Sequence, residues 1–307
     1  MSLAAPFPYF GGKRRAAPIV WRHLGDPSGY VEPFAGSAAV LLARPRFDGR
    51  RVETLNDADG WLVNVWRSIQ LSPDEVARHA WGPVTEIDYH ARLAWLQERR
   101  GDDLVSWLEG DPEAHDAKAA GWWLTVAAAG IGDPWGPGPW RVIDGRLADA
   151  RKLPHLGDAG RDALTAYMAS LADRLARVRI TCGSWERVVT PSASRAGAGG
   201  DGSRAILLDP PYATSGDLYA GTTDASVALS VREWARTETD GLRVILCGYD
   251  DEHDVLVDDG WVKVDGKAGR GAGYSTRSDN GRRERLWLSP ACIQPESTLF
   301  DLMGDAS

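Results

Sequence analysis

The chain has 307 residues, 43% hydrophobic and 25% charged, with a formal net charge of −8 and a pI near 5.3. That length suffices for a large core and for one domain plus an inserted or second one. The acidic balance argues against a general nucleic-acid binder but leaves room for local basic surfaces. No apolar run reaches the roughly 18 residues of a membrane span, so no membrane association is expected.

Three cysteines, Cys182, Cys247 and Cys292, stand far apart without metal-ligand spacing. An odd few fits a reduced, cytoplasmic setting. Met1 to Phe10 lacks the charged start and apolar body of a signal peptide. The six histidines form no paired metal motif, so no metal is expected.

In chain order, Phe7-Pro8-Tyr9-Phe10-Gly11-Gly12-Lys13 comes first. Its two glycines allow close approach of the backbone to a ligand. The full phosphate-loop pattern is missing. Ala16 to Leu24 reads as a helix with Pro18 in its first turn. Tyr30 to Val40 reads as a strand end, a small-residue turn at Phe34-Ala35-Gly36-Ser37, and a helix running to about Ala43. This is a glycine-poor version of the nucleotide-binding turn, suited to a ligand without phosphates. A second strand, Val52 to Leu55, ends at Asn56-Asp57. An acid there is placed to accept hydrogen bonds from ribose hydroxyls. The alternative is that Asp57 caps a helix from Trp61 to Ile69.

The texture changes near Leu71. Helical patches at Ala91–Arg100, Lys118–Ala129 and Arg161–Ala176 are separated by loops, one of them the irregular stretch Ile131 to Trp140. We read 71–177 as an inserted, mostly helical region. Most of its tryptophans fill its core, and its exposed aromatics offer a partner-reading surface. The sheet resumes at Arg179–Cys182, and Trp185 stands where it can stack on an adenine. A Gly-rich loop, Arg195 to Ser203, follows.

The apolar run Ala205–Leu208 then ends in Asp209-Pro210-Pro211-Tyr212. The run reads as a buried strand, and the prolines stop it in a stiff extended shape. In open α/β sheets ligands bind at that edge. A carboxylate and a proline carbonyl can each accept an N–H of a planar exocyclic amine, and Tyr212 offers a face for a base. The cluster suits methyl transfer to the amino group of a nucleobase. The alternative is a Pro-Pro turn closing a core strand with Asp209 as a cap. The polar stretch Ala213–Thr223 is a candidate for closing over a bound base. A helix at Ser226–Thr237 and strands at Arg243–Cys247, Gly260–Asp265 and Arg285–Leu288 complete the pattern. The stretch Gly266–Arg283, with Lys267, Arg270, Arg277, Arg282 and Arg283, suits DNA backbone contacts; the alternative is a disordered excursion. Lys13 and Arg14 at the other end of the chain suit the same contacts.

The set Pro8 to Lys13, Glu32-Pro33-Phe34-Ala35-Gly36-Ser37, Leu55-Asn56-Asp57 and Asp209 to Tyr212, in this order, resembles the Dam-like class of adenine-specific DNA methyltransferases. The Trp-rich texture is similar to phage and prophage members. The resemblance implies cofactor contacts at Tyr9, Lys13, Asp57 and Asp209, with Asp57 on the ribose. It implies further contacts at Phe34, Ala35 and Gly36, and at Ser184 and Trp185. Asp209, Pro210, Pro211 and Tyr212 would hold a flipped adenine by its amine, as base-flipping enzymes do. Two positions depart from the family pattern. Ala38 stands where a glycine is frequent, and Ser184 where an acid contacts the cofactor's adenine, which weakens that contact.

The expectation is therefore an α/β, Rossmann-like S-adenosylmethionine-dependent methyltransferase. Residues 1–70 and 178–307 form a mixed, mostly parallel catalytic domain, and 71–177 a helical target-recognition domain. The implied reaction is direct displacement from S-adenosylmethionine onto N6 of adenine in DNA, without a metal or a covalent cysteine. N4-cytosine methylation, an inactive DNA-binding decoy and a small-molecule methyltransferase stay open as alternatives. The implied partner is DNA, with a restriction endonuclease as a further candidate. The sequence sets no oligomeric state.

Overall fold

The computed structural model describes residues 3–7, 9, 12–82, 85–100, 104–129, 141–143, 146–148, 160–195, 197–212, 224–266 and 283–294. Expectations for 131–140, 213–223 and 267–282, and for Pro8, Phe10 and Gly11, lie outside the described residues.

In chain order the elements are α1 Ala17–Leu24, β1 Gly29–Glu32, α2 Ala39–Leu42, β2 Val52–Asp57 and α3 Gly60–Leu71. Helices α4 Pro73–Ala80, α5 Glu86–Glu98, α6 Leu104–Gly110 and α7 Ala117–Ala129 follow. A short hairpin, β3 Arg141–Ile143 and β4 Arg146–Ala148, precedes α8 Gly160–Leu175 and β5 Val178–Cys182. The remainder is α9 Glu186–Val189, β6 Arg204–Leu208, α10 Asp224–Thr237, β7 Arg243–Tyr249, α11 Val255–Asp258, β8 Val262–Asp265 and β9 Glu284–Leu288.

The main sheet has seven strands in the order β5-β2-β1-β6-β7-β9-β8. The first five follow the doubly wound order, and β8 and β9 add an antiparallel hairpin at the far edge. The mixed, mostly parallel sheet expected from the sequence is the one observed.

The chain divides into two compact units. The first comprises Met1–Arg14, Pro33–Ala43 and Glu53–Thr190. In it β2 and β5 run parallel, with Glu53 opposite Val178 and Asp57 opposite Cys182. That pairing carries β2 through Asn56 and Asp57, two residues beyond the strand read from sequence. Helix α3 buries Leu62, Val65, Trp66 and Ile69, the apolar spacing of one helix face. Helices α4, α7 and α8 pack with it. Gly121 lets α7 approach α4, since a Cβ there would lie 2.7 Å from the Ala80 nitrogen and 2.8 Å from the Val76 oxygen. The Phe7 ring meets Trp123 edge-on at 4.9 Å and lies 5.7 Å from Trp66. Both tryptophans are buried, while Trp107 is 47% exposed. Arg174 on α8 binds both carboxylate oxygens of buried Glu53, at 2.7 and 2.9 Å, and the Leu41 carbonyl at 3.0 Å.

The second unit comprises Arg15–Glu32, Arg44–Val52 and Pro191–Ser307. Here β1, β6 and β7 run parallel, and β9 pairs antiparallel with both β7 and β8. The interiors of β6 and β7 are continuous apolar runs, fully buried, as parallel strands covered on both faces must be. Strand order reverses at β1 and β6, so their carboxyl ends, Glu32 and Leu208, mark the topological switch point where ligands bind in such sheets. Asp209 is the residue directly after β6.

Candidate active site

In the first unit, one cluster surrounds the turn at Pro33 to Ala38. The Ala35 amide donates to the Asn56 carbonyl at 2.8 Å. The Gly36 amide donates to Asp57 Oδ2 at 3.0 Å, and Trp66 Nε1 donates to the Gly36 carbonyl at 3.1 Å. Gly36 has φ +47°, and a Cβ on it would sit 2.9 Å from two carbons of the Tyr9 ring. The close approach that requires glycine here is therefore made by Tyr9. Ala38 is also left-handed, at φ 50°. That explains why glycine suits this position, at a strain of about 1 kcal/mol for alanine.

Asn56 is 1% exposed and ties three chain segments together. Its Nδ2 donates to the Pro33 and Gly183 carbonyls, each at 2.9 Å. Its Oδ1 accepts from the Thr181 hydroxyl at 2.9 Å. Sequence reading placed Asn56 in the motif without a task. Its task is to fix the two loops that flank Asp57.

Asp57 accepts from Gly36 and, through Oδ1, from the Asp59 amide at 3.0 Å. It is not the helix cap. That part is played by Asp59, which accepts from Trp61 at 2.9 Å at the start of α3. Although part of Asp57 reaches solvent, backbone encloses its carboxyl. This desolvation pushes its pKa up to about 6, against the pull of the Asp59 and Gly36 amides. Burial, and next the charge of Asp57, push the Cys182 thiol up to about 11, which keeps it protonated and poorly nucleophilic.

The Gly183 amide donates to the Asp57 carbonyl at 2.9 Å. Beyond it Ser184 is exposed. Trp185 is 7% exposed, with its ring 6.3 Å from Phe34 at 30°. Lys13 is 5% exposed and Arg14 is exposed, so of this pair Arg14 is the one open to solvent. An enclosed acid at a strand end, a small-residue turn and nearby aromatic rings fit a nucleoside-containing cofactor.

In the second unit the strand stops where the prolines begin. The Tyr212 hydroxyl donates to Asp209 Oδ1 at 3.1 Å and lies 3.4 Å from Glu284 Oε1. The Tyr212 ring is 3% exposed and packs edge-on against Tyr249 at 4.3 Å. Burial, then the charge of Asp209, hold the phenol well above its usual pKa. Glu284 begins β9, and sequence reading missed it. Arg283 is bound to Asp250 at 2.6 Å and lies 5.2 Å from the Tyr249 ring centre. Arg282 lies outside the described residues. No metal-binding cluster of acids, histidines and cysteines occurs among the described residues, and no helix among them is long and apolar enough to cross a membrane.

The doubly wound sheet is consistent with a Rossmann-like methyltransferase fold. Residues 9–81 match the model of the D12 class N6 adenine-specific DNA methyltransferase family. That stretch carries Tyr9, Lys13, Gly36 and Asp57. The match covers less than a quarter of the chain and takes in three of the four ordered motifs, Asp209–Tyr212 lying outside it; over that stretch the chain is similar to enzymes of this class. No curated protein matches the chain.

Proposed function

We propose that the enzyme uses S-adenosylmethionine and methylates the N6 amine of an adenine flipped out of DNA. In the first unit, Asp57 receives the ribose hydroxyls, the Ala35–Gly36 backbone and Tyr9 line the nucleoside, and Phe34 and Trp185 supply aromatic surface for the purine. Ser184 gives a weaker contact than an acid. When bound, the cofactor supplies an electrophilic methyl carbon on a sulfonium.

In the second unit, Asp209 and the Pro210 carbonyl accept the two amine hydrogens. This turns the nitrogen lone pair toward the electrophile, and catalysis rests on positioning and charge complementarity. Tyr212 orients Asp209 through its hydroxyl. Residues 71–177 read the target sequence. Arg14, Arg282 and Arg283 contact the DNA backbone, whereas Lys13, expected there from the sequence, is buried. The Trp-rich texture supports a phage or prophage origin, with host cytoplasm as the setting and a restriction endonuclease as a further partner.

The single observation that carries the reading is the Asp209–Tyr212 hydrogen bond of 3.1 Å at the carboxyl end of β6, where a sheet of this order binds its ligands. Asp209→Ala tests it. Transfer from S-adenosylmethionine to DNA is expected to disappear while circular dichroism and melting stay near those of the parent. Retained transfer would remove Asp209 from the reaction.

A further inference from the structure

The Tyr212 hydroxyl stands between two carboxylates: Asp209 Oδ1 at 3.1 Å and Glu284 Oε1 at 3.4 Å. The arrangement is built from three separate elements. Asp209 and Tyr212 follow β6, Glu284 opens β9, and Tyr249, which pairs with Glu284 in the sheet, presses on the Tyr212 ring from β7. Tyr212 is enclosed, whereas Glu284 is half-exposed. The enclosed Tyr212 hydroxyl therefore joins two half-exposed acids, Asp209 and Glu284.

Methylation of an exocyclic amine creates a proton that must leave. The nitrogen–methyl bond forms, the sulfur–methyl bond breaks with its electron pair going to sulfur, and the nitrogen sheds one hydrogen as a proton. Asp209 is the acceptor at the amine, but a protonated Asp209 no longer accepts hydrogen bonds from the next amine as a carboxylate does. The three groups solve this. Once Asp209 is protonated the Tyr212 hydroxyl turns to donate to Glu284; the proton taken by Asp209 then passes to the Tyr212 oxygen as the Tyr212 proton passes to Glu284 Oε1, and water collects it from there. Tyr212 begins and ends as a neutral phenol, in keeping with its strongly disfavoured ionisation.

We infer that Glu284 is the terminal acceptor of the proton released by methyl transfer, relayed from Asp209 through the Tyr212 hydroxyl. The inference rests on the proposed reaction. Glu284 acts through Tyr212 and is a positioning and proton-accepting residue that does not touch the base.

The test is multiple-turnover methyl transfer by the full chain on excess DNA with saturating S-adenosylmethionine, in the parent and in Glu284→Gln. Glutamine keeps an oxygen that accepts from Tyr212 but does not hold a proton. The expected result is a transfer rate lowered by about tenfold or more, the scale of general-base effects. DNA affinity and the fluorescence of a flipped 2-aminopurine should match the parent's. Glu284→Ala should be accelerated by added formate, which a merely structural role would not produce. Tyr212→Phe should lose a similar factor, and the double variant should be no slower than the slower single one. This arm stands even where Glu284→Gln fails to fold. A parent-like rate in Glu284→Gln or in Tyr212→Phe, or losses that multiply in the double variant, would overturn the relay. A parent enzyme that methylates no adenine would instead overturn the proposed function.

Discussion

Asn56 and Gly183 lie 127 positions apart in sequence, yet the Asn56 amide donates to the Gly183 carbonyl at 2.9 Å. The same amide holds the Pro33 carbonyl. One side chain therefore sets both loops around Asp57. Replacement by alanine leaves two carbonyls and the Thr181 hydroxyl short of a partner. Asn56→Ala is expected to cost about 3 kcal/mol in denaturant unfolding, with weakened S-adenosylmethionine binding. A loss under about 1 kcal/mol would contradict the clamp.

Asp57 gives the site a pH signature. Its carboxyl is raised from 3.8 to about 6, with desolvation the leading cause. Between those values the folded chain holds a proton that the unfolded chain has lost. Stability from this group is thus fully present at low pH and is lost as pH rises through about 6. Ligand binding runs the other way, because ribose hydroxyls need the ionised acceptor. Calorimetric titration should show S-adenosylmethionine affinity falling about tenfold per unit below pH 6, the behaviour of one required ionisation. Asp57→Asn should bind weakly with a flat profile. A flat profile in the parent would take Asp57 out of the contact.

The Arg174–Glu53 pair is the structural anchor of the first unit. Both partners are nearly inaccessible, at 3% and 5% of side-chain surface. Arg174→Met leaves Glu53 buried and unpaired, a loss expected to reach about 3–5 kcal/mol. Chemical denaturation reads it directly, and Arg174→Met with Glu53→Leu should recover much of it.

On α5 and α7, Lys118 lies 4.7 Å from the Trp95 ring centre and 4.4 Å from that of Trp122. Arg99 covers Trp95 at 4.0 Å. Half-exposed aromatics interleaved with cations suit the proposed DNA-reading role of 71–177. Lys118→Ala should weaken DNA binding and lower the salt slope by about one. Unchanged affinity and slope would leave the cluster as a latch between α5 and α7.

Sequence and structure agree where the signal is local. The apolar run into Asp209-Pro210-Pro211 ends β6 because proline cannot donate to the ladder. Asp57 ends β2 as its distance from the Phe34–Ser37 turn predicts. Helix α4 had readable signals, with Pro73 in its first turn followed by Asp74 and Glu75, yet they lay within a region read only coarsely. Other features had no local signal. Asn56 as a clamp, the Trp66 bond to Gly36 and the Glu53–Arg174 pair join residues brought together only by packing. Glu284, 72 positions beyond Tyr212, reads in sequence as an ordinary strand-end acid.

The measurement that bears most directly on the account is methyl transfer from labelled S-adenosylmethionine to unmethylated DNA, followed by digestion and identification of the labelled nucleoside. The account predicts N6-methyladenine as the labelled base. Label in N4-methylcytosine, or cofactor binding without any labelled nucleoside, would contradict it.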